Sequence, residues 1–147
     1  MSRLLVTLSG LLILVMASCD NQTVKKELFE NGKVKTEKTY KEVNGEEQLV
    51  KEVVYHPNGS KYIEGNYKDG LRDGYWASWY DNGTLWSEGD FKNGENHGKR
   101  TVYHPNGNLY YEGFFNMGKR VGKWYFYNDQ GQKVNEIDYD LSPEVKE

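Results

Sequence analysis

Apolar and polar positions along most of this chain recur as a block, and the block repeats. Its clearest copy is Trp79-Tyr80-Asp81-Asn82-Gly83-Thr84-Leu85-Trp86-Ser87-Glu88-Gly89-Asp90-Phe91-Lys92-Asn93-Gly94. Gly59, Gly83, Gly107 and Gly131 stand 24 residues apart. Later glycines keep step as Gly65, Gly70 and Gly74, then Gly89, Gly94 and Gly98, then Gly113, Gly118 and Gly122. Five residues past each turn glycine stands a glutamate (Glu37, Glu64, Glu88, Glu112, Glu136), and eight past it an aromatic (Tyr40, Tyr67, Phe91, Phe115, Tyr139). A fixed period of this length is the signature of a repeat architecture. Five units result. The first carries 27 residues from Gly32 to Gly59, with the excess between Lys41 and Lys51, and the last lacks the second glycine group. Atypical terminal units are expected of a stack that must be capped.

Each unit reads as a β-hairpin. Asn31-Gly32, Asn58-Gly59, Asn82-Gly83 and Asn106-Gly107 lie between alternating stretches, the strongest short-range hairpin signal, with Gln130-Gly131 a weaker version. Two turn forms fit, a two-residue turn or a type I turn with a bulge at the glycine, and they differ by one residue in register. The two-residue form places Tyr80 opposite Leu85, Trp79 opposite Trp86, Ala77 opposite Glu88 and Trp76 opposite Gly89. It also pairs Tyr103 with Tyr110, Arg100 with Gly113, Trp124 with Ile137 and Lys123 with Asp138. Residues 68–74, 92–98 and 116–122 read as the reversals that lead one hairpin into the next. The predicted fold is all-β: an elongated antiparallel meander of five 24-residue β-hairpin repeats over 28–139, preceded by an N-terminal signal-peptide helix. About ten strands of about five residues would span roughly 45–50 Å.

Composition changes this picture little. Aliphatic residues are few past residue 19, but 12 Tyr and 4 Trp at recurring positions supply apolar area. The net charge of -3 offers no basic footprint, so nucleic acid is not an expected partner. The single cysteine excludes an intrachain disulfide.

Residues 1–18 read as a signal peptide: Arg3, an apolar run from Leu4 to Met16, then small Ala17 and Ser18. The run is short for a bilayer span. Met16-Ala17-Ser18-Cys19 resembles the bacterial lipobox, which implies acylation of Cys19 and anchoring to a membrane in the cell envelope, on the periplasmic face or the cell surface. Asp20 after the cysteine resembles an inner-membrane retention signal, although charged residues there also mark surface export in other bacteria. Residues 19–27 then read as lipidated cysteine and polar tether, and 140–147 as a tail.

The unit Tyr-x-x-Gly-x-Leu-x-x-Glu-Gly-x-Phe/Tyr-x-x-Gly-x-x-x-Gly, best seen in Trp79 to Gly98 and Tyr103 to Trp124, resembles the MORN-repeat variant found in bacterial YwqK-family antitoxin-like proteins. The resemblance covers Leu28 to Tyr139. It implies an elongated series of hairpins used for binding or scaffolding, toward membrane lipids or protein partners, and the antitoxin label implies neutralising a toxin by contact. The signal peptide departs from a cytoplasmic antitoxin. Gly122 to Gly131 also resembles choline- or glucan-binding repeats, which implies a glycan or lipid surface as a further partner class.

Candidate chemistry is sparse. Glu64, Glu88, Glu112 and Glu136 fall about 10 Å apart under the repeat, too far for a retaining-glycosidase pair or a shared-proton dyad. They read as a structural ladder, with Gly59, Gly83, Gly107 and Gly131 as structural turn residues. His56 and His104 are two units apart and His97 stands alone in a loop, so no metal site is expected. No acid, base and nucleophile converge. The expectation is no enzyme, no cofactor and no catalytic residue. Trp76, Trp79, Trp86, Tyr110, Tyr111 and Trp124 are the candidate binding aromatics, weighed against packing on one another as the core. The expected function is a membrane-anchored, non-catalytic protein-binding or scaffold lipoprotein.

Overall fold

The structure, a computed structural model, describes residues 14–18 and 21–141. Within these residues eleven strands form one open antiparallel sheet whose order follows the chain. They are β1 (Leu14–Ser18), β2 (Gln22–Leu28), β3 (Val34–Val43), β4 (Glu46–Tyr55), β5 (Lys61–Lys68) and β6 (Leu71–Trp79). They continue as β7 (Leu85–Lys92), β8 (Glu95–Tyr103), β9 (Leu109–Asn116), β10 (Lys119–Tyr127) and β11 (Lys133–Asp138). Each strand packs substantially only on its sequence neighbours, so the sheet is a single layer.

The two edges of the sheet use different turns. At the Asn-Gly edge, Tyr80 N–H donates to the Thr84 carbonyl at 2.9 Å and Gly83 N–H to the Tyr80 carbonyl at 2.9 Å. Gly83 has φ +84°, and the same bonds recur around Gly32, Gly59, Gly107 and Gly131. This is the three-residue loop, a type I turn followed by a left-handed glycine. It corrects the two-residue form. Trp79 lies opposite Leu85, and Trp86 is an unpaired extra residue, so the expected Trp79–Trp86 pair does not form. Likewise Tyr103 lies opposite Leu109 and leaves Tyr110 unpaired. The extra residue undoes the offset introduced by the longer loop. Beyond it Ala77 faces Glu88, Trp76 faces Gly89, Arg100 faces Gly113 and Trp124 faces Ile137, as the two-residue register requires. A bulge of this kind sits three residues past every turn glycine, at Lys35, Tyr62, Trp86, Tyr110 and Val134.

The opposite edge turns on Asn44-Gly45, Asp69-Gly70, Asn93-Gly94 and Met117-Gly118, with positive φ at both residues of each pair. These are two-residue turns whose twist matches that of the flanking strands. The expected long reversals over 68–74 and its copies are therefore a tight turn plus strand. Gly74, at φ +71°, lets β6 carry two residues more than β5, since Asn66 faces Asp73 while Gly65 faces Trp76. Strands β3 to β10 consequently run eight to ten residues, not about five. The surplus of the first unit lengthens β3 and β4 instead of forming a loop.

The N-terminal expectations change as well. Most of the expected tether is β2, tied to β3 by a Lys26–Glu37 ion pair at 2.8 Å. Leu14–Ser18, within the expected signal-peptide helix, pairs with β2 as an edge strand. Removal of residues 1–18 at the expected cleavage site would leave β2 as the edge strand, with unpaired N–H and C=O groups along its outer side. Residues 1–13 and Cys19 lie outside the described residues, as does most of the expected tail.

The two most deeply buried large side chains, Trp76 and Trp124, sit in a single row of residues across the sheet. Gly65, Trp76, Gly89, Arg100 and Gly113 face one another in sequence across β5 to β9, and Trp124 on β10 lies over Gly113. Each large side chain lies across a glycine because no Cβ holds it away. Trp76 is 2% exposed and Trp124 1%. Their indole N–H groups donate to the Asn66 and Phe114 carbonyls at 3.0 and 3.2 Å. Tyr67 and Phe91 meet Trp76 edge-on, and Phe115 and Tyr139 meet Trp124 in the same way. Arg72 and Arg120 stack over the two indoles at 4.1 and 5.0 Å, a favourable cation–π geometry. The middle unit exchanges these roles: Arg100 takes the Trp position and Asn96 the Arg position, and the two are hydrogen-bonded at 3.5 Å.

This arrangement ranks the glycines. A Cβ at Gly65 or Gly113 would fall inside the Trp76 or Trp124 ring, whereas one at Gly83 meets nothing within 4 Å. Gly113→Ala is expected to destabilise by about 3 kcal/mol through overpacking, and Gly83→Ala by about 1 kcal/mol through its left-handed backbone. Urea unfolding of the two variants checks the ordering, and equal losses would contradict the row.

Candidate binding surface

The Asn-Gly edge is a stack of identical turns tied by side chains. Asn31 Nδ2 donates to the Pro57 carbonyl at 3.2 Å, Asn58 to Asp81 at 2.7 Å, Asn82 to Pro105 at 3.5 Å and Asn106 to Asp129 at 2.7 Å. Two residues earlier in each unit the pattern repeats. His56 Nε2–H donates to the Trp79 carbonyl at 3.0 Å, Tyr80 O–H to Tyr103 at 2.8 Å and His104 Nε2–H to Tyr127 at 3.1 Å. Each of these rings also supports the bulge residue of its own unit. His56 meets Tyr62 at 5.0 Å between centroids, Tyr80 meets Trp86 at 6.0 Å, and His104 meets Tyr110 at 4.7 Å. The bulge residues are thus buttressed and still 40%, 40% and 47% exposed. They form a row of aromatics, one per unit, flanked by exposed Lys35 and Val134.

The Trp–Gly row lies on one face, and the next residues of the same strands form a second row on the other. Glu37, Val53, Glu64, Ala77, Glu88, Thr101, Glu112, Tyr125 and Glu136 face one another in turn across β3 to β11. Lys51 and Lys61 bind Glu64 at 2.5 and 2.6 Å. Lys99 and Tyr127 bind Glu112 at 2.8 and 3.3 Å, and Lys123 and Lys133 bind Glu136, both at 2.9 Å. Lys51 and Lys61 hold the Glu64 carboxyl below its ordinary range, and Lys133 and Lys123 do the same for Glu136. Glu88 is held by hydroxyls instead, Tyr75 at 2.8 Å and Tyr103 at 2.9 Å. Two concavities open on this face, about 430 Å³ over Glu88 and about 210 Å³ over Glu64.

The six aromatics singled out from the sequence do not form one ridge. Trp76 and Trp124 are core. Tyr111 packs on Trp124 at 5.7 Å, on the face of the Trp–Gly row. Trp79 walls the smaller concavity on the glutamate face, with Lys61 Nζ 5.5 Å above its ring. Only Trp86 and Tyr110 belong to the exposed row. Their partner in that row, Tyr62, was missed in the sequence, as were Tyr75 and Tyr103 beside Glu88. The signal for Tyr62 is its place three residues after Gly59, equivalent to Trp86 and Tyr110. The turn glycines and glutamates fall where the repeat puts them. His97 lies in β8 opposite Asp90, not in a loop, and its buried Nδ1 has no hydrogen-bond partner among the described residues.

The Tyr75 and Tyr103 phenols are both pushed up to about 12, by burial first and then by the Glu88 carboxylate. Unfolded tyrosines ionise near pH 10. Their contribution to stability is therefore complete below about pH 10 and is lost as pH rises toward 12, where the unfolded chain releases the protons first. A phenolate absorbance titration should show Tyr75 and Tyr103 among the late-ionising tyrosines, with Tyr55, Tyr67, Tyr80 and Tyr127 also above the ordinary value. Glu88→Gln should bring Tyr75 and Tyr103 earlier by removing the neighbouring charge, and an unchanged titration would contradict this geometry.

The model of the MORN repeat variant family matches residues 24–42, 49–69, 72–93 and 96–117. No curated protein matches the chain. The four segments fall on the hairpins β2–β3, β4–β5, β6–β7 and β8–β9, and β10–β11 adds a fifth hairpin of the same construction beyond them. The matches cover more than half of the chain and coincide with its structural repeat. The protein belongs to the MORN repeat variant family.

Proposed function

We propose that this protein is a non-catalytic protein-binding module, anchored to a membrane of the bacterial envelope through lipid on Cys19. One observation carries the binding part: the exposed row Tyr62, Trp86 and Tyr110, presented at bulges on a hydrogen-bonded sheet. Large aromatic side chains on a rigid support suit a partner surface because little conformational freedom is lost on contact. Their one-per-unit spacing fits an extended partner or a flat protein face. A toxin neutralised by direct contact is one partner class of that description. The anchoring part is supported by Met16-Ala17-Ser18-Cys19 after an apolar run. Three acyl chains hold a protein stably at a bilayer, since two membrane signals already suffice.

The test is co-purification from native membranes with mass spectrometry. The combined variant Tyr62→Ser, Trp86→Ser and Tyr110→Ser is expected to keep its urea midpoint and to lose a protein that the unaltered chain retains. Retention of the same partner by the folded variant would contradict the reading. Separately, Cys19→Ser is expected to move the protein from the membrane to the soluble fraction. Unchanged fractionation would contradict the anchor.

A further inference from the structure

The glutamates of the row are not equivalent. Glu37, Glu64, Glu112 and Glu136 each have a lysine ammonium within 3 Å, and among the described residues Glu88 has none within ion-pair distance. The repeat shows how this arises. Lys51, Tyr75, Lys99 and Lys123 are equivalent positions, as are Lys61, Leu85, Leu109 and Lys133, so the Glu88 unit has lost the cation at both. Its carboxylate accepts only the two tyrosine hydroxyls among its side-chain contacts, which leaves acceptor capacity unused. Asp90 and Glu112 also line the concavity, and its one cation, Lys99, is paired with Glu112 at 2.8 Å. Three carboxylates and one ammonium leave a formal charge of about -2 at neutral pH. In the equivalent but smaller concavity Lys51 balances Glu64.

We infer that the concavity over Glu88 receives a basic side chain, arginine or lysine, projecting from the partner protein. Tyr75 and Tyr103 flank the carboxylate with ring surface that attracts a cation, and a carboxylate that lines the concavity and keeps a free lone pair on each oxygen suits a guanidinium. The volume of about 430 Å³ admits such a side chain. The inference rests on the protein-binding reading and adds a chemical requirement to it. The partner must present a cation within reach of the aromatic row.

The test is a titration of the full chain in detergent with acetyl-Gly-Arg-Gly-amide, read as amide shifts by heteronuclear NMR. Gly89, Asp90 and Thr101 should shift saturably with a Kd of about 1 mM, while Gly65 and Asn66 over Glu64 stay unmoved. The citrulline counterpart, equal in shape but uncharged, should give no saturable shift. Glu88→Gln should weaken binding at least about tenfold, the worth of one hydrogen bond to a charged group. Tyr75→Lys restores the lysine present in the other units and should abolish binding in a chain that still folds. The inference is overturned if the arginine peptide shifts nothing at the Glu88 concavity, shifts both concavities equally or is matched by citrulline. Shifts produced by phosphatidylethanolamine vesicles but not by the peptide would overturn it too, by assigning the cation to lipid. The titration reads this concavity alone. A failed titration beside continued partner loss in the Tyr62, Trp86 and Tyr110 variant sinks the inference and leaves the protein-binding reading standing.

Discussion

A single sheet layer has no second layer to bury its apolar face, and this protein meets that constraint with glycine. Trp76 lies between Gly65 and Gly89, and Trp124 lies over Gly113, so each indole rests flat on backbone. Burial to 1–2% exposure in one layer depends on that absence of Cβ atoms. The edge-on rings and the stacked guanidinium groups of Arg72 and Arg120 close the other side. Everything else in the fold holds this row in register. The extra residue in each hairpin serves that end, since it cancels the offset of the three-residue loop before the strand reaches the glycine.

The two faces then divide the work. The Trp–Gly face buries the two indoles, while the opposite face buries the smaller Val53, Ala77 and Thr101 and carries carboxylates joined to lysines and tyrosines. Exposed ion pairs contribute little singly, and the glutamate row matters more for spacing and charge pattern than for stability. The departure at Glu88 matters for that reason. A repeat that gives each neighbouring glutamate at least one lysine at these two positions, and gives this one tyrosine and leucine, has changed its local chemistry without changing its backbone.

Much of this was legible in the sequence. The period, the Asn-Gly turns and the pairing of Trp76 with Gly89 follow from spacing, because each unit repeats the same evidence. The turn form did not follow. A type I loop with a later bulge and a two-residue turn give the same register beyond Trp86, and alternation sees only the sum. The same cancellation hid Tyr62, Trp86 and Tyr110 as one exposed class, since a strict two-residue period assigns Trp86 to a face together with Glu88. Strand length was misjudged because a glycine within a strand, as at Gly74, looks like a glycine in a loop. The difference between Glu88 and its equivalents was present in the sequence at Tyr75 and Leu85. It acquired meaning only when the structure showed lysines from the equivalent positions on the other carboxylates and tyrosine hydroxyls on this one.

The asparagine bonds along the turn edge run in one direction, each unit donating to the one that follows. They cross the 27-residue first unit unchanged, from Asn31 to Pro57, because its surplus sits at the other edge around Asn44-Gly45. Length variation is thereby confined to one margin of the ribbon. Whole units can be duplicated or deleted without breaking the chain of donors, and short insertions are absorbed where no such chain runs. The span of the aromatic row can therefore be set by copy number alone, without redesigning the hairpin.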